Sequence, residues 1–134
     1  MTERIGHRGY VGSRSYFDAQ PPQRVQNIVI RDYATRNGLH YLLSAVEYAM
    51  PGCHMMLGNL LDELSEIEGV ICYSIFMLPV ENDRRLQVYA RFLENGATLH
   101  GALDNLVLES RHDIARIEDI WLARKTLDAC PVSL

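Results

Sequence analysis

The stretch Gly9-Tyr10-Val11-Gly12-Ser13-Arg14-Ser15 decides the predicted fold of this 134-residue chain. Its first half is typical of a short apolar strand, and its second half is a polar turn with two hydroxyls and one guanidinium. Helix and strand patterns alternate after it, which predicts a parallel sheet with right-handed crossovers. Ligands of open α/β sheets bind at the carboxyl edge of the strands, so this turn marks a candidate binding site.

Hydrophobic periodicity predicts the remaining elements. The predicted strands cover residues 8–12, 39–46, 70–76 and 98–103, with 106–108 as a continuation or a short extra strand. The predicted helices follow Pro22 and cover 53–67, 82–94 and 111–127, and the first one carries a stripe that includes Val25, Ile28 and Tyr33. We therefore expect a single α/β domain over 1–134, with a core at 8–108, a parallel sheet of about four strands and flanking helices.

The overall charge argues against a dedicated nucleic-acid binder. The net charge is −4 at pH 7, whereas such proteins usually have a strongly basic face. Six arginines in the first third leave two interpretations open, a local basic patch or a solvated surface: Arg4, Arg8, Arg14, Arg24, Arg31 and Arg36. The sequence also has no signal-peptide pattern and no apolar run near the roughly 20 residues that span a bilayer. It predicts a cytoplasmic protein without a membrane span.

No cofactor or metal is predicted. The first strand lacks a GxGxxG continuation, and no GxxxxGK[ST] motif occurs. The three cysteines form no CxxC pair, and His7, His40 and His112 have no partner at metal-ligand spacing. The sequence therefore carries no motif for a dinucleotide, a nucleoside triphosphate or zinc.

Several segments resemble the catalytic domain of resolvase/invertase-type serine recombinases over most of 8–108. They are Gly9-Tyr10-Val11, Arg24-Val25-Gln26, Pro51-Gly52 and Leu60-Leu61-Asp62-Glu63-Leu64. The resemblance implies a three-layer sandwich of the resolvase-like or flavodoxin-like type. That family carries its nucleophile in a Tyr-x-Arg-x-Ser pattern, whose Arg and Ser positions here are Gly12 and Arg14.

Two further departures concern the family's arginines. Met50 stands where the family has an arginine before its Pro-Gly turn, and the arginine-bearing loop after the third strand is the apolar run 74–79. Strand exchange needs guanidinium groups around the transferring phosphate, so DNA recombination is disfavoured.

A second resemblance is to the sporadic carbohydrate cluster proteins, which are named for genes in bacterial surface-polysaccharide clusters. It rests on Arg8-Gly-Tyr-Val-Gly-Ser-Arg14, Val25-Gln26-Asn27, Ile30-Arg31-Asp32-Tyr33, Tyr41-Leu-Leu-Ser44, Glu47-Tyr48-Ala49-Met50-Pro51-Gly52 and Phe76-Met77-Leu78-Pro79. It implies a role in making or modifying a surface polysaccharide or lipopolysaccharide.

The predicted strand ends bring together a set of polar and aromatic side chains that suits an anionic sugar. Glu47 and His100 are the candidate proton-transfer residues, with Ser13 orienting the substrate beside them. Arg14 is the candidate anion clamp, because guanidinium forms bidentate pairs with phosphate and carboxylate. The other candidate binding residues are Arg8, Tyr10, Gln26, Asn27, Arg31, Ser44, Tyr48, Ser74 and Phe76.

Structural roles compete with each of these assignments. Glu47 could pair with an arginine at the strand edge, His100 could be a satisfied core histidine, and Ser13 and Ser15 could only form the turn. Asn27 and Arg31, one helical turn apart, could simply face solvent.

Three functions follow from these assignments. The first is a sugar-modifying enzyme of the isomerase, epimerase or hydrolase type, acting on a phosphorylated, nucleotide-linked or acidic sugar. The second is a non-catalytic binding or scaffold subunit, and the third is the disfavoured recombinase. The last helix could cap the sheet edge or pack against a second copy, and the second interpretation predicts a homo-oligomer, in the simplest case a dimer.

Overall fold

The elements of the chain alternate between strand and helix until the last strand. The computed structural model describes residues 4–12, 21–50 and 52–129. Its strands are β1 (His7–Gly12), β2 (Tyr41–Glu47), β3 (Gly69–Cys72), β4 (Thr98–Gly101) and β5 (Leu106–Leu108). Its helices are α1 (Gln23–Arg36), α2 (Met55–Asp62), α3 (Asn82–Asn95) and α4 (Arg111–Ala129), with a 3₁₀ turn at Ile75–Met77.

The strands form one sheet in the order β2-β1-β3-β4-β5. β1 pairs in parallel with β2 and β3, and β3 pairs in parallel with β4. β5 runs antiparallel to β4. The predicted single α/β domain is confirmed, but the sheet has five strands instead of about four, because residues 106–108 turn back on β4 as a separate strand.

The central strands β1 and β3 are covered on both faces. Tyr10, Val11, Ile71 and Cys72 are fully buried, as expected for parallel strands that have helices on either side. α1 lies on one face, where Tyr33 contacts His100 of β4. α2 lies on the other, where its first N–H groups contact Glu47 of β2.

α1 buries a different stripe from the predicted one. Gln26, Ile30, Tyr33 and Ala34 face the sheet, whereas Val25 and Ile28 are 42% and 58% exposed. The stripe still has helical spacing, but a polar residue takes its first position. Gln26 is buried because its amide bonds to the backbone of β1.

β3 is shorter than the predicted strand over 70–76. It ends at Cys72, and Ser74 caps the 3₁₀ turn by accepting a hydrogen bond from the Phe76 N–H. The apolar residues that follow the strand belong to this turn, in which Ile75, Met77 and Leu78 are buried.

α4 packs on α3 and on the 3₁₀ turn. Trp121 is fully buried, with its ring 5.1 Å from that of Phe76. The Arg85 guanidinium lies 4.2 Å from the centre of the Trp121 ring. Within the part of the chain that the structure describes, no helix is both long enough and apolar enough to cross a membrane.

Candidate functional site

The exit of β1 is held by one buried glutamine side chain. The Gly12 N–H donates to Gln26 Oε1 over 3.0 Å, and Gln26 Nε2 donates to the carbonyls of Gly12 at 2.6 Å and Pro21 at 2.8 Å. Residues 13–20 connect Gly12 to Pro21, so the side-chain amide of Gln26 is bonded to both residues that flank that segment. Ser13, Arg14 and Ser15 belong to the segment and lie outside the described residues.

Three of the predicted binding residues meet on the α1 face of the sheet, from the middle of β2 toward its start. Ser44 Oγ donates to Asn27 Oδ1 over 2.7 Å and also bonds to the Tyr41 hydroxyl at 2.6 Å. The Arg31 guanidinium lies 5.5 Å from the centre of the Tyr41 ring. Together with Gln26 and Gly12, these residues are called the β1–β2 edge site below.

A glycine in β1 makes room for this cluster. A Cβ at Gly9 would come within 2.1 Å of Ser44 Oγ, closer than real contacts allow. Gly9 and Ser44 are paired across the two parallel strands, so any larger residue would push Ser44 away from Asn27. The hydroxyl and amide cluster therefore depends on the sheet register.

Glu47 lies on the opposite face of the sheet and caps α2. Its side chain is 2% exposed, and its carboxylate accepts hydrogen bonds from the Tyr10 hydroxyl and from the N–H groups of Tyr48, Met56 and Leu57, at 2.8 to 3.1 Å. Burial would raise the pKa of Glu47, but these hydrogen bonds outweigh it and lower the pKa. The group is therefore a fixed anion at a helix N-terminus.

His100 is buried on the α1 face, in the same sheet row as Ile71 of β3. Its Nδ1 bonds to the Tyr33 hydroxyl at 2.8 Å and its Nε2 to Thr98 Oγ1 at 2.9 Å. Burial, with His7 nearby, lowers the pKa of His100 to about 4. Glu47 and His100 thus lie on opposite faces, with the two strands β1 and β3 between theirs in the sheet order, and a proton-transfer role for either stays a prediction.

The remaining predicted residues are distributed around other contacts. Arg8 donates to the Leu43 carbonyl at 2.6 Å and to Glu63 at 2.7 Å. Ser74 bonds to Asp104, which also accepts from the Ile75 N–H at 2.7 Å. Tyr10 is bonded to Glu47, Tyr48 is half exposed beside it, and Phe76 packs on Trp121. The structure therefore brings Gln26, Asn27, Arg31 and Ser44 together, and separates them from the other described candidates.

Sequence reasoning missed three groups. Tyr41 joins the β1–β2 edge site, although residues three apart on a regular strand face opposite sides. The shift in pairing between His7/Tyr41 and Gly9/Ser44 brings both side chains to one face. Asp104 organises the turn after β3 from 30 residues away. Glu118 of α4 forms two 2.7 Å bonds with the buried guanidinium of Arg85 and accepts another from Tyr89. No local pattern connects residues 33 positions apart.

Charge is unevenly divided along the chain. Residues 1–50 contain six arginines and four acidic residues, whereas residues 51–134 contain seven basic and thirteen acidic residues. The first of these segments supplies β1, α1 and β2. The segment that builds the β1–β2 edge site is therefore net basic within an acidic protein. No group of three or more metal-ligating side chains lies together among the described residues.

Two solved structures share this fold over nearly their whole length. A resolvase family site-specific recombinase from Streptococcus pneumoniae superposes with a TM-score of 0.59 and 12% sequence identity, covering 92% of this chain and 95% of that one. The N-terminal catalytic domain of TP901-1 integrase superposes with a TM-score of 0.54 and 11% identity, covering 90% and 95%. The fold is resolvase-like. No protein-family model matches the sequence, and no curated protein sequence matches it.

These similarities correct the first functional prediction. A role in surface-carbohydrate biosynthesis was ranked first, but the structures that match this chain are catalytic domains of site-specific recombinases. No comparison supports the sporadic carbohydrate cluster family. The structural neighbours are thus recombinases, the class of protein that the sequence analysis placed third.

Proposed function

We propose that this protein binds the phosphodiester backbone of DNA at the β1–β2 edge site. The observation that carries the proposal is the bonding of one Gln26 amide to both Gly12 and Pro21. It gives the intervening segment, with Ser13, Arg14 and Ser15, a fixed base beside the start of α1. A short segment that carries a guanidinium and two hydroxyls matches the oxygen acceptors of a phosphate.

The start of α1 adds to the attraction for an anion. Its first turn contains no acidic residue, and no side chain among the described residues caps it. Exposed N–H groups at a helix start favour phosphate, and Arg24 and Arg31 place positive charge along the same helix. Residues 1–50, which are net basic, add to this positive potential. Contacts to the phosphate backbone of DNA depend on charge and not on base sequence.

The proposal is limited to binding, because the turn after β3 supports no phosphate clamp. Ile75, Met77 and Leu78 are buried, and Phe76 packs on Trp121. Arg85 is the next buried arginine along the chain. Its guanidinium donates hydrogen bonds to Glu118 and to backbone carbonyls. Strand cleavage would need guanidinium groups at the transferring phosphate.

Fluorescence anisotropy with a short labelled DNA duplex, at a series of salt concentrations, tests the proposal. Arg14→Gln and Arg24→Gln are each expected to weaken binding and to reduce the salt slope by about one. Arg116→Gln, which removes an exposed charge from α4, is the matched control and should change neither quantity.

Absence of binding at low salt, or an equal loss in all three variants, would contradict the proposal. A covalent adduct with nicked DNA would contradict its restriction to binding.

The predicted homo-oligomer is proposed to form through α4. Leu122 and Leu127 are 64% and 68% exposed on a helix whose other side is packed on the domain. A second copy packed across the side of α4 opposite the buried Trp121 would cover both of them. Sedimentation velocity of the wild type against Leu122→Glu tests this, with a dimer for the first and a monomer for the second. A wild-type monomer at high concentration would overturn it.

A further inference from the structure

A groove between α2 and α3 lies on the face of the sheet opposite the β1–β2 edge site. Its volume is about 440 Å³, which falls in the range of small-molecule sites. Leu57, Leu61 and Val88 provide apolar lining, and Arg84 and Arg91 of α3 border it. The groove combines an apolar floor with positive charge at one wall, and the fold and the β1–β2 edge site make no use of it.

Gly58 keeps the floor of this groove open. A Cβ built at Gly58 meets no atom within 4 Å, so packing within this chain does not require glycine there. The residue lies inside α2, where glycine is the least favourable residue after proline. A helix position that is left without a side chain, with empty space above it, is what an occupant of the groove would need.

The charges of the groove favour an anionic occupant. Arg84 and Arg91 are two turns apart on α3, and Glu94 is the one acidic residue among the described residues that line the groove. Arg84 lies 3.6 Å from Glu81 and Arg91 lies 3.1 Å from Asp62, with the pairs exposed to solvent. Exposed pairs of this kind contribute little stability. Arg91 also donates to the Leu61 carbonyl over 3.0 Å, which leaves its other N–H groups and those of Arg84 for a ligand.

We propose that this groove is a second binding site, which takes a small organic anion with an apolar ring system. The ring would lie over Gly58 against Leu57, Leu61 and Val88. The carboxylate, sulfonate or phosphate group would bond to Arg84 and Arg91, whose planar guanidinium groups suit such oxygens. The site is independent of DNA binding, since it uses α2 and α3 and none of the residues of the β1–β2 edge site.

The probe for this proposal is 1-anilinonaphthalene-8-sulfonate, whose fluorescence rises in an apolar site. The wild type is expected to bind it saturably in its native state, and Gly58→Ala should bind it more weakly, because the added methyl group takes up part of the open space over which the ring would lie. Gly58→Trp fills the groove and should abolish binding. The double variant Arg84→Gln/Arg91→Gln should bind at least about tenfold more weakly, because it loses the charge-assisted hydrogen bonds of both guanidinium groups.

Controls separate the groove from general surface binding. Arg116→Gln should bind the probe as the wild type does, and the uncharged N-phenyl-1-naphthylamine should bind about tenfold more weakly than the sulfonate. Circular dichroism melts establish that each variant is folded; if Gly58→Trp is not, the arginine double variant decides. Undiminished binding by folded Gly58→Trp, or by the double variant, would overturn the proposal and leave the DNA-binding result unaffected.

Discussion

The side-chain amide of Gln26 is bonded to both backbone groups of Gly12, the last residue of β1. Gln26 of α1 thereby completes the hydrogen bonding of the end of β1. It also bonds to the carbonyl of Pro21, two residues before α1 begins. This relationship explains why a glutamine occupies a core position of α1. It also joins to the folded core Gly12 and Pro21, the two residues that flank the segment proposed to contact DNA.

Replacing Gln26 should therefore destabilise the whole domain. Gln26→Leu keeps the size of the side chain but leaves the buried N–H and C=O of Gly12 without partners, at a cost of about 2–4 kcal/mol in the free energy of unfolding. Urea denaturation measures it. Gln87→Leu, at an exposed position of α3, should change stability by less than about 0.5 kcal/mol. Equal effects of the two substitutions would show that the bonds to Gly12 contribute nothing.

Glu47 should make stability depend on pH in the acid range. Its folded-state pKa is lowered below the ordinary 4.5, so its contribution is fully present above pH 4.5 and is lost as the pH falls through the lower folded value. Glu47→Gln should lose about 1–3 kcal/mol at neutral pH, because an amide is a weaker acceptor for N–H groups. Its unfolding free energy should also fall less steeply below pH 4.5. Glu66→Gln, at an exposed position, is the control that should behave as the wild type.

His100 should affect the free energy of unfolding at a higher pH than Glu47 does. Burial lowers its pKa from 6.5 to about 4, so the unfolded chain binds more protons than the folded one between these values. The free energy of unfolding then falls as the pH is lowered through this window, by about 3 kcal/mol in total. His100→Gln should reduce that slope, leaving the part due to the neighbouring His7, whose pKa is also lowered by burial. Chemical denaturation at a series of pH values measures the difference. An unchanged slope in this variant, or a loss of slope in the exposed His112→Gln, would refute the assignment.

Arg85 should hold α4 on the domain. Arg85→Met leaves Glu118 and Tyr89 without their cation and should cost about 3–5 kcal/mol. Trp121 is the one tryptophan of the chain and is buried under the Arg85 guanidinium, so its emission should shift to the red if α4 detaches. Arg84→Met, one residue away and exposed, is the control.

A double-mutant cycle separates the ion pair from side-chain packing. If the pair matters, Arg85→Met/Glu118→Leu should be less destabilised than the two single changes together. Additive effects would contradict a direct coupling between Arg85 and Glu118.

The candidate site was only partly predictable from local patterns. Asn27, Arg31 and Ser44 were expected at the carboxyl edge of the sheet. They do meet, but at the middle and start of β2, where Ser44 is the fourth residue and Tyr41 the first. Glu47 was expected at the same edge as a proton carrier, yet it binds N–H groups nine and ten residues later, at the start of α2. A pattern of strand ends places a residue at an edge but does not say to which face its side chain points.

The apolar run after β3 shows the same limit. Its composition predicted one strand to residue 76, but Asp104 accepts the Ile75 N–H and Ser74 caps a 3₁₀ turn instead. The contact crosses about 30 residues, and it exists only once β3 and β4 have paired. Long-range hydrogen bonds of this kind override the local tendency of an apolar segment to extend.

What the sequence by itself determined was the order of elements around Gly9-Tyr10-Val11-Gly12 and the parallel sheet that follows from it. These depend on side-chain periodicity and turn residues, which act over a few neighbouring positions. What only the tertiary structure decided was the partner of each buried polar group: Gly12 for Gln26, the start of α2 for Glu47, and Glu118 for Arg85. Such pairs form between distant residues, since a buried polar group must be satisfied by whatever the assembled fold places beside it.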